Sequence, residues 1–346
     1  MKSASILKIA GVYIGTVVGA GFATGQEVLQ FFATFGISGA FGLALTTILF
    51  IIYGYIIIEL GFKLGAASHL EILKATCGKW ISTTMDFVIT FFLFGALTAM
   101  FAGTGALFVE QFGLPIIIGC LIMAIITSFT VLKGLNGVLN SISFVAPFLV
   151  ISVIGICLYS IMQTSPNIST ITSVSENPLI NNWFMSSILY VSYNILLSVA
   201  VLGPLGAESV DKKSIAIGSF LGGLGLGVTS LMIYLALSAH SSTIISLEVP
   251  LLYIAEKISP QTAFLFSIIL IAEVYTTAVG ALYGLTARLF NNTFRWKTIV
   301  LSATALAFFA SLLGFSNLVK YLYPIVGYSG LVLLACLLIS KKQVKK

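Results

Sequence analysis

Residues 11–32 read GVYIGTVVGAGFATGQEVLQFF, and the fold turns on how this stretch is interpreted. It is apolar enough to be buried, yet it carries Gly11, Gly15, Gly19, Gly21 and Gly25. Each glycine in a helix interior costs about 1 kcal/mol against alanine, so the cluster needs a reason. Close packing of small faces is one, since Gly11, Gly15 and Gly19 stand four residues apart, as do Gly21 and Gly25. The other is a stretch unwound at about 18–25. Such backbone is tolerated inside a bilayer only where it is buried in protein or lines a cavity. We favour the second, because interrupted apolar segments recur at binding sites. The string GAGFATG superficially resembles a dinucleotide-binding loop, but no strand precedes it and the spacing is wrong.

The rest of the chain fixes the surroundings of that stretch. Of 346 residues, 58% are hydrophobic and 8% charged, and the mean hydropathy is +1.10. A soluble domain is about 45–50% apolar and about 25% charged. The composition excludes a soluble enzyme, a disordered protein and a nucleic-acid-binding domain, and leaves an all-α polytopic membrane protein. Ten apolar segments are long enough to be read as transmembrane helices: 5–34, 38–62, 82–110, 114–132, 136–163, 182–206, 213–239, 260–288, 297–314 and 317–340. They are numbered one to ten below. Segment one runs apolar too far to be a signal peptide and is expected to be retained. With both termini cytoplasmic, 15 of the 17 basic residues fall inside and only Lys257 and Lys320 outside. The four cysteines form no CxxC pair, and His69 and His240 lack a second ligand, so no metal site is expected. Residues 63–81 read as an amphipathic inner surface helix. Within the outer connection 240–259 a short helix is expected. Asp86 and Glu59 should be paired or snorkelling, and Gln26 and Glu27 should line an outer gate or reach the interface.

Segments six and eight carry the remaining polar residues. Segment six has Ser192-Tyr193-Asn194 at mid-membrane and Gly203, Pro204 and Gly206 near its end. We read it as a second interrupted helix. Two five-helix halves, residues 1–163 and 182–346 joined by the outer loop 164–181, would then place the interruptions at corresponding positions, as an inverted repeat requires. In segment eight, Glu273, Thr276, Thr277, Gly280 and Gly284 share one helical face. A carboxyl at that depth costs at least about 2.5–3.5 kcal/mol, so the face should point into the protein. Threonine hydroxyls often bond back to their own helix, but with backbone carbonyls they also suit an alkali cation. Glu273 would add charge to that site, recognise a substrate ammonium, or carry a proton.

Ten segments, a first helix with GTVVGAGF, a polar sixth segment and a Thr-Thr pair in the eighth resemble the LeuT-type fold of the amino acid–polyamine–cation transporter superfamily. GTVVGAGFATGQEVLQFF is most similar to the YkvI-type bacterial membrane proteins, and GTVVGAG resembles the first helix of the hydroxy/aromatic amino acid permeases. The resemblance implies a sodium site formed by Gly15 and Val18 with Thr276 and Thr277, or, one register over, with Ala272, Tyr275 and Thr276. It implies a substrate site at Gly19, Ala20, Gly21 and Phe22, where helix-one amides face a carboxylate, with Ser192, Tyr193 and Asn194 opposite. Segment five holds no Lys or Arg where some proton-coupled members place a lysine, which favours sodium. Glu273 departs from the sodium-coupled pattern and speaks for a proton or a cationic substrate.

The expectation is a non-enzymatic secondary transporter in the bacterial cell membrane, moving a small amino acid or amine-like solute with Na+ or H+ and no other cofactor. Its partners are the lipid bilayer and a small solute, with no nucleic acid. A non-transporting ligand sensor on the same fold, of the germinant-receptor kind, is the alternative. An ion channel is disfavoured, since no charged ring or repeated filter is visible.

Overall fold

A computed structural model describes residues 6–66, 69–133, 136–166, 179–209, 211–240, 244–245, 247–289 and 296–343. The described residues form helices joined by short connections, and no strand occurs among them. Six helices are long and apolar enough to cross a membrane: Ile37–Leu64, His69–Phe112, Trp183–Ala207, Lys212–Ser238, Pro260–Thr286 and Phe315–Ser340. Four further apolar helices are shorter: Ile6–Val17, Ile116–Leu132, Phe148–Gln163 and Trp296–Ser311. Large side chains such as Phe87, Ile151, Met162 and Phe309 stand exposed around the bundle. In water these would be an aggregation surface; in a bilayer they meet acyl chains.

Segment one is interrupted, as its glycines predict. The helix Ile6–Val17 stops, Gly19 takes an extended conformation, a single turn Ala20–Ala23 follows, and Gln26 begins the next helix. Gly25 has φ 81°, the left-handed conformation that glycine adopts without strain, and it makes the second bend. A Cβ at Gly11 or Gly19 would meet nothing within 4 Å. Close helix packing therefore does not explain those two glycines.

Segment six corrects the sequence reading. It is one continuous helix, Trp183–Ala207, with Pro204 inside it. Its polar side chains hold the winding instead of breaking it: Asn194 Nδ2 donates to Tyr190 O and Ser198 Oγ to Asn194 O, each one turn back. Gly203 and Gly206 serve packing. A Cβ at Gly206 would strike the Ile58 carbonyl oxygen, and one at Gly61 would strike that of Gly203. Segments two and six thus touch backbone to backbone.

The helix expected within 63–81 begins at His69 and runs into segment three. Helix His69–Phe112 bends at Gly78, φ 73°, and His69 Nε2 meets Asp86 Oδ1 across the bend at 3.2 Å. Glu59 pairs with Lys63 at 2.9 Å. The connection 240–259 contains the helix Pro250–Ile258. Most of the loop 164–181 lies outside the described residues. Segment two packs on six and seven, segment one on seven, segment eight on three and five, and segment ten on six. Segment ten opens with a wide π-helical turn, Leu318–Leu322, immediately before Tyr323.

Candidate solute and ion site

The interruption in segment one leaves backbone groups without partners. Val18 N–H bonds to Ile14 O, but no backbone hydrogen bond among the described residues returns to the carbonyls of Gly15, Thr16, Val17 or Val18. The turn Ala20–Ala23 starts without a side-chain cap. Carbonyls on one side and amides on the other give the break both electrostatic signs within two residues.

Segment eight packs on the turn Ala20–Ala23. On its inner face Glu273 is 4% and Thr276 3% exposed, and Thr277 is half-buried. Thr276 Oγ1 donates back to Glu273 O at 2.9 Å, and Thr277 is the hydrogen-bonding partner of the Glu273 carboxylate. Of the alternative register, Tyr275 Oη lies 2.8 Å from Thr130 Oγ1 of segment four, so its hydroxyl is turned away from segment one.

The three polar residues of segment six do not converge. Ser192 Oγ donates to Gly327 O of segment ten at 2.6 Å, and Asn194 bonds to its own helix. Tyr193 reaches segment one: its hydroxyl donates to Glu27 Oε2 at 2.5 Å. Glu27 is 4% exposed. Its side chain folds back over the break, so that a Cβ on Gly21 would strike the carboxylate. Gly21 and Tyr193, read from the sequence as two sides of one site, are thus joined through a carboxylate that the sequence reading left at an outer gate. The available signal was the cost of a charge inside VLQFF-flanked apolar chain.

Aromatic rings surround the tyrosine that holds this carboxylate. Tyr193 sits 5.0 Å from Tyr323, 5.4 Å from Tyr190, 5.7 Å from Phe31 and 6.0 Å from Phe92, measured between ring centroids. The π-helical turn ahead of Tyr323 aims that ring inward, a frequent use of such turns at functional sites. Tyr190 also faces the Glu27 carboxylate, and Gln26 Oε1 is buried without a hydrogen-bond partner.

Beyond the site the chain closes over it. Leu251 N–H, from the helix Pro250–Ile258, donates to Thr24 O at the bend. Gln26 Nε2 donates to Ser316 Oγ at 2.8 Å. Glu248 Oε2 accepts from the N–H groups of Phe315 and Ser316, and Glu110 Oε1 from those of Glu248 and Val249. The roles of these two carboxylates are not legible in the sequence, since each caps the start of a helix remote in the chain. No group of three or more His, Cys, Asp or Glu suited to a metal occurs among the described residues.

No family model matches the chain. Two proteins of Bacillus subtilis do: the uncharacterized membrane protein YkvI, 31% identical over 97% of this chain and 96% of the relative, and the uncharacterized protein YyaD, 33% identical over 94% of each. Among solved structures it is similar to MhsT in complex with L-phenylalanine, with TM-score 0.63, 16% identity and coverage of 96% and 88% of the two chains. Inward-facing Mhp1 gives TM-score 0.60 at 14% identity, over 95% and 74%. A mutant of the Eremococcus coleocola manganese transporter gives 0.60 at 13%, over 97% and 77%. At these identities the structures speak for the fold alone, which is that of the LeuT-type transporters. With two relatives matched almost end to end, the chain belongs to the YkvI family of bacterial membrane proteins, built on the LeuT-type fold.

Proposed function

We propose that the protein is a secondary active transporter that moves a small amino acid or amine-like solute by alternating access. The observation that carries this reading is the interruption at Val18–Gly19, with its unpaired carbonyls, and the packing of segment eight, which buries Glu273 and Thr276, on the turn Ala20–Ala23 that follows. Backbone freed at membrane depth is costly unless a ligand or cavity compensates it, and hydroxyls with carbonyls are hard oxygen ligands for an alkali cation. Sodium at Gly15, Val18, Thr276 and Thr277 would order the break, and Gly19–Phe22 with Tyr193 would then receive the solute. Ten spans in two halves of five, with both termini cytoplasmic, fit this cycle. With the sixth helix continuous, the proposed solute site draws on the break in segment one and on side chains of segment six, without freed backbone from the latter. Proton coupling through Glu273 is the second reading, favoured by that carboxyl's burial.

The test is thermal stabilisation of the purified protein by amino acids and amines, in sodium and in potassium. Joint stabilisation by sodium and one solute is expected, since a ligand at 100 times its Kd adds about 2.7 kcal/mol. Thr276→Ala with Thr277→Ala should abolish the sodium dependence while leaving expression intact. Unchanged sodium dependence in that double variant removes the ion site. Ligand binding without counterflow in liposomes would make the protein a sensor.

A further inference from the structure

Glu27 is a buried carboxyl at the break that the proposed cycle leaves unused. Its carboxylate is held from one side by Tyr193 Oη and rests on Gly21 on the other. None of the ion pairs among the described residues involves it; those are Lys8–Glu208, Lys63–Glu59 and His69–Asp86. The titratable groups facing it are hydroxyls, Tyr190 and Tyr193 from segment six and Tyr323 from segment ten. A bare carboxylate in that setting is an uncompensated buried charge, which proteins avoid by pairing or by protonation. The walls are also those an organic cation requires. Aromatic faces attract ammonium groups by about 0.5–2 kcal/mol each, and the rings of Tyr190, Tyr323, Phe31 and Phe92 all pack around Tyr193.

We propose that Glu27 is an exchange site at which a proton and the ammonium group of a cationic solute bind in turn, so that each expels the other. The inference rests on the solute-site reading above and names the class of solute. In the step, a solute R–NH3+ approaches the protonated Glu27 carboxyl and the carboxyl O–H bond breaks. The proton leaves to water on the open side, and the carboxylate takes the ammonium as its counterion. On the opposite side the reverse step returns the proton and frees the amine. Net charge at the site is the same with either occupant, so exchange of a monovalent amine is electroneutral. Only the occupied forms avoid a bare buried charge, which couples the two fluxes without any contact between proton and amine.

The test uses purified full-length protein in weakly buffered detergent solution with a pH indicator, probed with putrescine, choline and tetramethylammonium at pH 6, 7 and 8. Binding of at least one probe should release about one proton per cation held, and its apparent affinity should fall about tenfold for each pH unit downward where Glu27 is protonated, as competition demands. Glu27→Gln keeps an acceptor for Tyr193 but no exchangeable proton, and should abolish both the release and the pH slope. Cation binding by wild type without proton release overturns the exchange, and needs no variant to fold. Equal release by Glu27→Gln overturns the assignment to Glu27. If none of the three cations binds at any pH, the inference falls alone, because counterflow of neutral amino acids tests the transporter reading separately.

Discussion

Tyr193 Oη and Glu27 Oε2, 2.5 Å apart, join a residue the sequence placed in the solute site to one it placed outside it. The energetics of that bond depend on charge. Tyr193→Phe leaves a buried acceptor unsatisfied and should cost about 1–3 kcal/mol in thermal unfolding. Glu27→Gln keeps a neutral acceptor for Tyr193, so without amine Tyr193→Phe should cost about as much in that background as in wild type, with a double-mutant coupling near zero. A coupling of about 1 kcal/mol or more without amine, the excess of a hydrogen bond to a charged acceptor over one to a neutral acceptor, would mean that Glu27 is charged when empty. The two glycines beside it should then behave differently. Gly19 has open space and an extended φ of −116°, so Gly19→Ala should be neutral in stability. A Cβ at Gly21 must push the Glu27 carboxylate aside. Gly21→Ala should keep the fold and weaken amine binding at least tenfold, measured by thermal shift; equal affinities for the two variants would detach Glu27 from the solute.

At the scale of helices, sequence and structure agree where hydrophobicity alone decides and part where glycine has two meanings. The ends of segments two, four, five, six and seven fall within two residues of the observed helices, because the change from apolar to polar chain is what positions them. The break at Val18–Gly19 was legible because the glycines there exceed what helix packing uses. The break expected in segment six was not present, because Gly203-Pro204-Gly206 serves as a small face against segment two. A break and a tight crossing both demand glycine, and only the neighbouring helix tells them apart. Ser192 and Asn194 misled for a related reason: a mid-membrane polar side chain satisfied by its own or an adjacent helix reads in sequence like one that faces a ligand. Gly206→Ala, which would drive a methyl into the Ile58 carbonyl, should therefore cost about 1–3 kcal/mol by overpacking. Gly11→Ala, with no neighbour within 4 Å, should raise stability by about 0.4–1 kcal/mol. Melting temperatures in detergent that moved the same way in both variants would contradict the crossing.

Over the whole molecule, what distinguishes a transporter from a sealed bundle is that one side must open. Here one side is fastened by few and local contacts. Glu248 holds the first amides of segment ten, Glu110 holds the start of the helix Pro250–Ile258, Gln26 meets Ser316, and Leu251 N–H bonds to the bend at Thr24. All four join segment one, three or ten to the same connecting segment or to each other, on the side where the charge count places the exterior. Carboxylates on helix starts are favoured by the amides and dipole there, yet each fastening is small enough to be undone in the proposed cycle. A clasp of this kind should make Gln26 slow to react from outside while Glu248 is in place. With the native cysteines replaced by alanine, Gln26→Cys should be labelled several-fold faster by a membrane-impermeant maleimide when Glu248→Ala is added. Gln26→Cys with Ser316→Cys should stop counterflow under oxidation and regain it under reduction. Labelling at equal rates with and without Glu248, together with undiminished flux in the oxidised pair, would mean that the molecule opens elsewhere.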